Sequence, residues 1–165
     1  DFQKPNSSYY RIRFLFEEDF YKLHISGDLG ELIAANYCNM CWDKFEDFVD
    51  NIGYFEGKVI SHNRPFFLYD QEKAQNDVIE YLKTYDLYDE VIDDQDEFMS
   101  DEDFLEDVFS DFTEERGIGY YGYEKLSEID SDIFEIIDDF GKKSTGILDL
   151  YMLAFKLAKE QLDNK

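Results

Sequence analysis

Two cysteines, two prolines and two histidines are all that 165 residues contain. Cys38 and Cys41 are too few and too close in sequence to staple a fold, which argues against a disulfide scaffold and fits a reducing interior such as bacterial cytoplasm. So few prolines leave long elements uninterrupted. No apolar run approaches the roughly 20 residues that span a bilayer. The first residues, DFQKPNSS, are polar and unlike a secretion signal, and Asn6-Ser7-Ser8 matches a glycosylation acceptor by pattern only. Bases are scarce as well: 16 Lys and Arg stand against 40 Asp and Glu, a net charge of −24. Such a balance argues against direct contact with nucleic acid or an anionic membrane and points to cationic partners.

Apolar mass is plentiful. Hydrophobic residues make up 44% of the chain and aromatics 18%, with 16 Phe and 13 Tyr. That separates it from acidic disordered tails, which cannot offset the entropy of ordering. The length suits one domain, or one domain with a small appendage, and the rings predict an aromatic core.

The pattern predicts an α+β fold. Residues 9–16 and 20–26 alternate around Glu17-Glu18-Asp19 and read as a β-hairpin. Asp28-Leu29-Gly30-Glu31 has the form of a capping box. After it Ile33, Tyr37, Cys41, Phe45, Phe48 and Ile52 recur at helical spacing up to Gly53, which predicts a long helix packed on the hairpin. Residues 58–61 and 66–69 flank His62-Asn63-Arg64-Pro65 and suggest a second hairpin. Asp70 then caps a helix to Tyr85 with Ala74, Val78, Tyr81 and Leu82 inward. Short acidic helices are expected at about 86–92, 101–113 (capped by Ser100 and Asp103) and 132–140, with a glycine- and tyrosine-rich loop at 117–123 and a final amphipathic helix at 147–162. This organisation assigns 1–85 to an α+β portion of two hairpins and two helices, and 86–165 to an acidic helical portion packed with it as one compact domain.

Charge is distributed unevenly. Residues 84–139 hold 22 acids and two bases, a net of −20, and no base lies between Lys83 and Arg116. A salt-adapted protein would spread its acids. Apolar stripes run through this stretch: Phe104, Leu105, Val108, Phe109 and Phe112 in the second helix, and Ile133, Phe134, Ile136, Ile137 and Phe140 in the third. The carboxylates fall mainly on the opposite sides. The plain reading is a solvated face. Interspersed lysines would solubilise equally and would pair at i,i+4, whereas uncompensated acids there repel by a few tenths of a kcal/mol per pair. A surface that keeps this repulsion is better read as one selected for its field.

Carboxylates on one helix face lie roughly 5–6 Å apart at i,i+4, comparable to the charge spacing of a nucleic-acid backbone, so such an array can occupy a Lys/Arg-lined groove. In length, charge and patterning over about 84–139 the chain resembles the DNA-mimic inhibitors of phages and mobile elements, of the antirestriction and anti-CRISPR type, without matching a family motif. The resemblance implies an inhibitor in the cytoplasm of a bacterial host. It would bind the basic groove of a defence nuclease, restriction enzyme or CRISPR effector. The residues expected to carry binding are Asp86, Asp89, Glu90, Asp93, Asp94, Asp96, Glu97, Asp103, Glu106, Asp107 and Asp111, with Tyr120 and Tyr121 as aromatic anchors. An immunity protein neutralising a basic toxin would use the same electrostatics.

Other motifs are weaker. Cys38, Cys41, His24 and His62 make four soft ligands that suit a zinc-stabilised adaptor, but their spacing matches no standard finger and Cys41 falls on the predicted core stripe. A redox role for the C-x-x-C would want it ahead of a helix rather than within one. Gly117-Ile118-Gly119-Tyr120-Tyr121-Gly122 fits G-x-G-x-x-G literally, but no strand precedes it, and it reads as a flexible turn. Asp93-Asp94-Gln95-Asp96-Glu97 lacks the glycine and glutamate of a calcium loop, since Met99 and Leu105 stand in their places. No nucleophile–base set is evident, so the chain reads as a binding protein without cofactor rather than an enzyme.

Overall fold

The computed structural model describes residues 1–3, 9, 11–92 and 100–163, without the side chains of residues 90 and 101. In chain order the elements are β1 (Ile12–Glu17), β2 (Lys22–Gly27), β3 (Leu32–Ala35), α1 (Glu46–Val49), α2 (Ile52–Glu56), β4 (Val59–His62), β5 (Phe67–Tyr69), α3 (Gln71–Thr84), α4 (Tyr88–Val91), α5 (Asp101–Val108), α6 (Tyr120–Ile129), β6 (Lys142–Ser144) and α7 (Ile147–Asp163). The fold is mixed α and β, with a four-stranded antiparallel sheet near the N-terminus and a long C-terminal helix. The chain divides into two compact units, 1–66 with 145–165, and 67–144. Among the described residues no helix is long and apolar enough to cross a membrane.

In the first unit the sheet order is β1-β2-β3-β4. Register places Phe16 opposite Leu23 and Leu23 opposite Ala34, so alternation puts Phe16, Leu23 and Ala34 on one face. Leu23, Ile25, Leu32 and Ala34 are buried there, with Phe45, Phe48 and Phe55 from the turns and short helices and Leu148, Tyr151, Met152 and Phe155 from α7. Ring centroids of Phe45 and Phe155 lie 4.7 Å apart, and those of Trp42 and Phe155 lie 4.9 Å apart, both edge to face. Such pairs add about 0.5–1.5 kcal/mol each beyond burial.

The first hairpin forms as expected. Its turn, a 3₁₀ segment at Glu18–Phe20, ends on Tyr21 in the left-handed region at φ 51°, ψ 44°. A bulky L-residue costs roughly 1–2 kcal/mol in that conformation, which glycine adopts freely. Tyr21→Gly would also loosen the unfolded chain by about 0.4–1 kcal/mol. It is therefore expected to raise stability by a net ~0.5–1 kcal/mol, read as a higher urea midpoint. A lower midpoint would show that contacts of the ring outweigh the backbone strain.

The predicted long helix over 28–52 does not form. Gly27 and Gly30 sit at φ +142° and +110°, so the chain turns between β2 and β3 instead of starting a helix. Asp28, expected as its N-cap, accepts the Arg11 N–H at 3.0 Å. Leu32 and Ala34 point inward at strand spacing, and Tyr37 is fully exposed. The helical remnants are the 3₁₀ turn Trp42–Lys44, α1 and α2. Gly53, read as a stop, lies inside α2. The second hairpin is also replaced. β4 pairs with β3, and β5 pairs with β6 through Phe67 opposite Ser144. The intervening turn spends its bonds on β3's approach, since Asn63 donates its N–H to the Glu31 carbonyl at 3.1 Å and its Oδ1 accepts the Glu31 N–H at 2.8 Å.

In the second unit α3 starts where Asp70 Oδ1 accepts the Lys73 N–H at 2.8 Å. Ala74, Val78 and Leu82 turn inward and share a core with Phe104, Val108, Phe109, Leu126, Ile133, Ile137 and Phe140. α5 begins with the expected capping box of Ser100 and Asp103, but ends at Val108 rather than 113. α4 is a single turn. Two corrections follow from spacing. Residues 132–140 form 3₁₀ turns, Ser131–Glu135 and Ile137–Asp139, whose tighter period leaves Phe134 exposed. The 117–123 loop becomes a turn at Gly117 (φ +75°) followed by α6, with Gly119 at its N-cap and Gly122 inside it.

Candidate functional site

Among the described residues no charged side chain is buried, so the described acids of the second unit lie on its surface. That unit holds 26 acids and six bases, a net of −20, and the first unit 14 acids and ten bases, a net of −4. Four of the six bases are engaged within the unit: Lys143 with Asp70 at 2.7 Å, Lys73 with Asp77 at 2.7 Å, Lys142 with Asp139 at 3.0 Å and Lys125 with Asp107 at 3.4 Å. A fifth, Lys83, sits 4.5 Å over the Tyr88 ring. Most of the unit's described carboxylates thus have no ion pair among the described residues.

The expected binding residues fall into three groups. Asp89 on α4 and Glu106 on α5 are exposed. Asp86 is exposed in the turn after α3 at φ 58°, a conformation that aspartate tolerates. A second group does internal work. Asp103 Oδ2 accepts from Ser100 Oγ at 3.0 Å, and Asp107 pairs with Lys125 as above. Asp111 is drawn partly inward, where its Oδ2 accepts the Tyr121 N–H at 3.0 Å. It thereby places negative charge at the N-terminus of α6, where Gly119 offers no side-chain cap. Its Oδ1 is buried with no hydrogen-bond partner among the described residues. The third group lies outside the description: Asp93, Asp94, Asp96 and Glu97, and the side chain of Glu90. Asn6-Ser7-Ser8 and the acidic run once compared with a calcium loop lie outside it as well.

Tyr120 and Tyr121 open α6 with exposed rings, edge to face at 5.9 Å, and Tyr123 is exposed beside them. The Tyr120 hydroxyl donates to Glu124, and that bond and charge hold its pKa above the ordinary phenol value. Other carboxylates serve the fold. Asp70 is held below the usual carboxylate range by Lys143 and then by the Lys73 N–H. Asp130 is lowered by the Tyr81 hydroxyl at 2.5 Å and then by the Asp132 N–H.

The expected binding set left out Glu102, Glu128 and Glu135, although Glu135 was read as facing outward; all three are exposed and without an ion pair among the described residues. Glu102 carried a usable signal, since it lies four residues before Glu106 on α5. Glu128 did not, because it falls between the loop read at 117–123 and the helix read at 132–140, where no element was assigned.

The zinc set is not assembled. Among the described residues no three His, Cys, Asp or Glu side chains gather as a metal would need. His24 Nε2 lies 3.2 Å from Glu17, and His62 Nδ1 bonds the Arg64 carbonyl at 2.7 Å with its ring stacked on Phe66. Cys38 is an exposed free thiol and Cys41 a partly buried one. Cys41 is extended at the start of a 3₁₀ turn, so it is off the core stripe predicted for it, and Met40 is the residue buried there.

The arrangement of surface carboxylates on a ring-filled unit, with tyrosines at one helix start, offers recognition of cations. No family model matches the chain, and neither does any curated protein or solved structure.

Proposed function

We propose that this protein is a stoichiometric inhibitor that occupies the basic, nucleic-acid-binding groove of a partner protein, such as a defence nuclease, restriction enzyme or CRISPR effector, in a bacterial cytoplasm. The observation that carries the reading is the −20 charge of residues 67–144, set on a unit with its own apolar core and with most of its few bases already engaged. The described carboxylates stand on folded elements, and a fixed array loses less entropy on binding than a flexible acidic tail. α5 contributes Glu102 and Glu106 four residues apart, flanked by Asp103 and Asp107. Tyr120 and Tyr121 supply rigid rings of the kind that anchor protein interfaces and that stack on arginine.

The test is capture of a partner on the immobilised full chain from bacterial lysate at roughly 0.05 M and 0.5 M salt, followed by titration with duplex DNA and single-stranded RNA. A nucleic-acid-binding protein retained at low salt, released at high salt and displaced by DNA or RNA supports the proposal. A retained protein that neither DNA nor RNA displaces overturns it, in favour of an immunity protein bound outside the nucleic-acid site. Retention of nothing overturns both.

A further inference from the structure

The C-terminal helix is apolar on more sides than its own unit covers. Of residues 147–158 only Asp149 and Lys156 are charged. Leu148, Tyr151, Met152 and Phe155 are buried within the unit. Leu150, Leu153 and Leu157 instead stand 47%, 53% and 37% exposed. Spacings of three and four residues align them in one stripe along α7. The stripe borders a shallow cavity of about 240 Å³ whose walls add Phe2, Ile12 and Leu29, so the lining is entirely apolar. A helix that is apolar nearly all round is ordinarily covered all round, and contiguous exposed apolar surface marks an interface.

We infer that α7 is a self-association surface, packing antiparallel against the same helix of a second copy of this chain. Charge selects this occupant. Asp149 and Lys156 are both exposed and lie seven residues apart, on the same flank of the leucine stripe. A two-fold axis reverses one helix against the other. When Leu150 packs on the second copy's Leu153, each Asp149 comes beside the second copy's Lys156. The flank is therefore complementary to itself, as an isologous interface requires. Lys156 already bonds Asp50 at 2.9 Å, and its ammonium has further protons to donate. Repulsion between copies is also least here, because this unit carries −4 of the −24. The inference stands apart from the nucleic-acid-mimic reading and does not depend on it.

Sedimentation of the full chain from micromolar to submillimolar concentration tests it. Wild type is expected to reach twice the chain mass. Leu153→Lys with Leu157→Lys changes exposed positions and is expected to remain monomeric with an unaltered melting curve. Asp149→Lys alone and Lys156→Asp alone are each expected to weaken the dimer about tenfold. An equimolar mixture of those two variants is expected to regain wild-type association, because opposite charges again face each other. A wild type that stays monomeric throughout overturns the proposal. So does a double-leucine variant that dimerises normally, or a mixture no stronger than its components.

Discussion

Glu102→Lys combined with Glu106→Lys is expected to weaken binding to a cationic partner about a hundredfold while leaving the fold intact. Both side chains are exposed on α5 and free of ion pairs among the described residues. Their reversal therefore removes display without removing structure. Asp103 and Asp107 are poorer choices, since one completes the α5 cap and the other holds Lys125. Within the helix the lysine at position 106 gains attraction to Asp103 at i,i+3 in place of repulsion, while positions 102 and 106 remain a like-charged i,i+4 pair as before. Lysine in the first turn opposes the dipole by a few tenths of a kcal/mol. The two effects are of similar size, so the unfolding midpoint should hardly move. Surface plasmon resonance at several salt concentrations separates the components: a shallower salt dependence reports lost steering, and a faster off-rate reports lost contacts. Unchanged affinity would remove α5 from the binding surface.

Gly122→Ala is expected to destabilise the second unit by about 2 kcal/mol or more. Alanine is the better helix former by roughly 1 kcal/mol, so propensity alone forecasts the opposite. Sterics decide. A Cβ at this position would lie 2.0 Å from the Val108 carbonyl oxygen and 2.6 Å from Ile118 Cγ2. Backbone oxygen cannot move aside as a side chain can, so α6 would have to lift from the end of α5, at an overpacking cost of about 1–3 kcal/mol or more beyond the propensity gain. Gly53 is the control. It also lies within a helix, but a Cβ there would meet nothing within 4 Å, so Gly53→Ala should stabilise by up to ~1 kcal/mol. Urea unfolding of both variants checks the pair. Equal shifts would mean that α6 does not pack closely on the end of α5 at Gly122.

Elements specified by neighbours in sequence were the legible ones. Strand alternation around Glu17-Glu18-Asp19, the Asp70 cap of α3, the Ser100–Asp103 box and the periodicity of α7 all act within a few residues. The sheet beyond the first hairpin was not legible. Ile33, Tyr37, Cys41, Phe45, Phe48 and Ile52 fit a helical period, yet Leu32 and Ala34 fit a strand equally, and only the two positive-φ glycines around Asp28-Leu29 break the tie. The β5–β6 pairing joins residues more than seventy positions apart, beyond the reach of local pattern. α6 was hidden by three glycines that serve three different purposes: a left-handed turn, a helix cap and a close helix contact. For the candidate surface, charge density marked a stretch that falls within one compact unit. Which carboxylates are free and which hold the fold together depended on partners distant in sequence. Asp111 bonds a backbone N–H ten residues on, and Lys143 reaches Asp70.

The chain leaves the first unit after Phe66 and returns at Thr145, whose N–H bonds the Phe66 carbonyl at 2.9 Å. The intervening stretch likewise opens and closes on paired strands. Its two ends are thus neighbours, and because each doubling of a loop costs only about 0.6 kcal/mol, the scaffold is nearly indifferent to how much is threaded between them. The acidic stretch 67–144 is in this sense an insertion with one point of departure and return in the first unit, at Phe66 and Thr145.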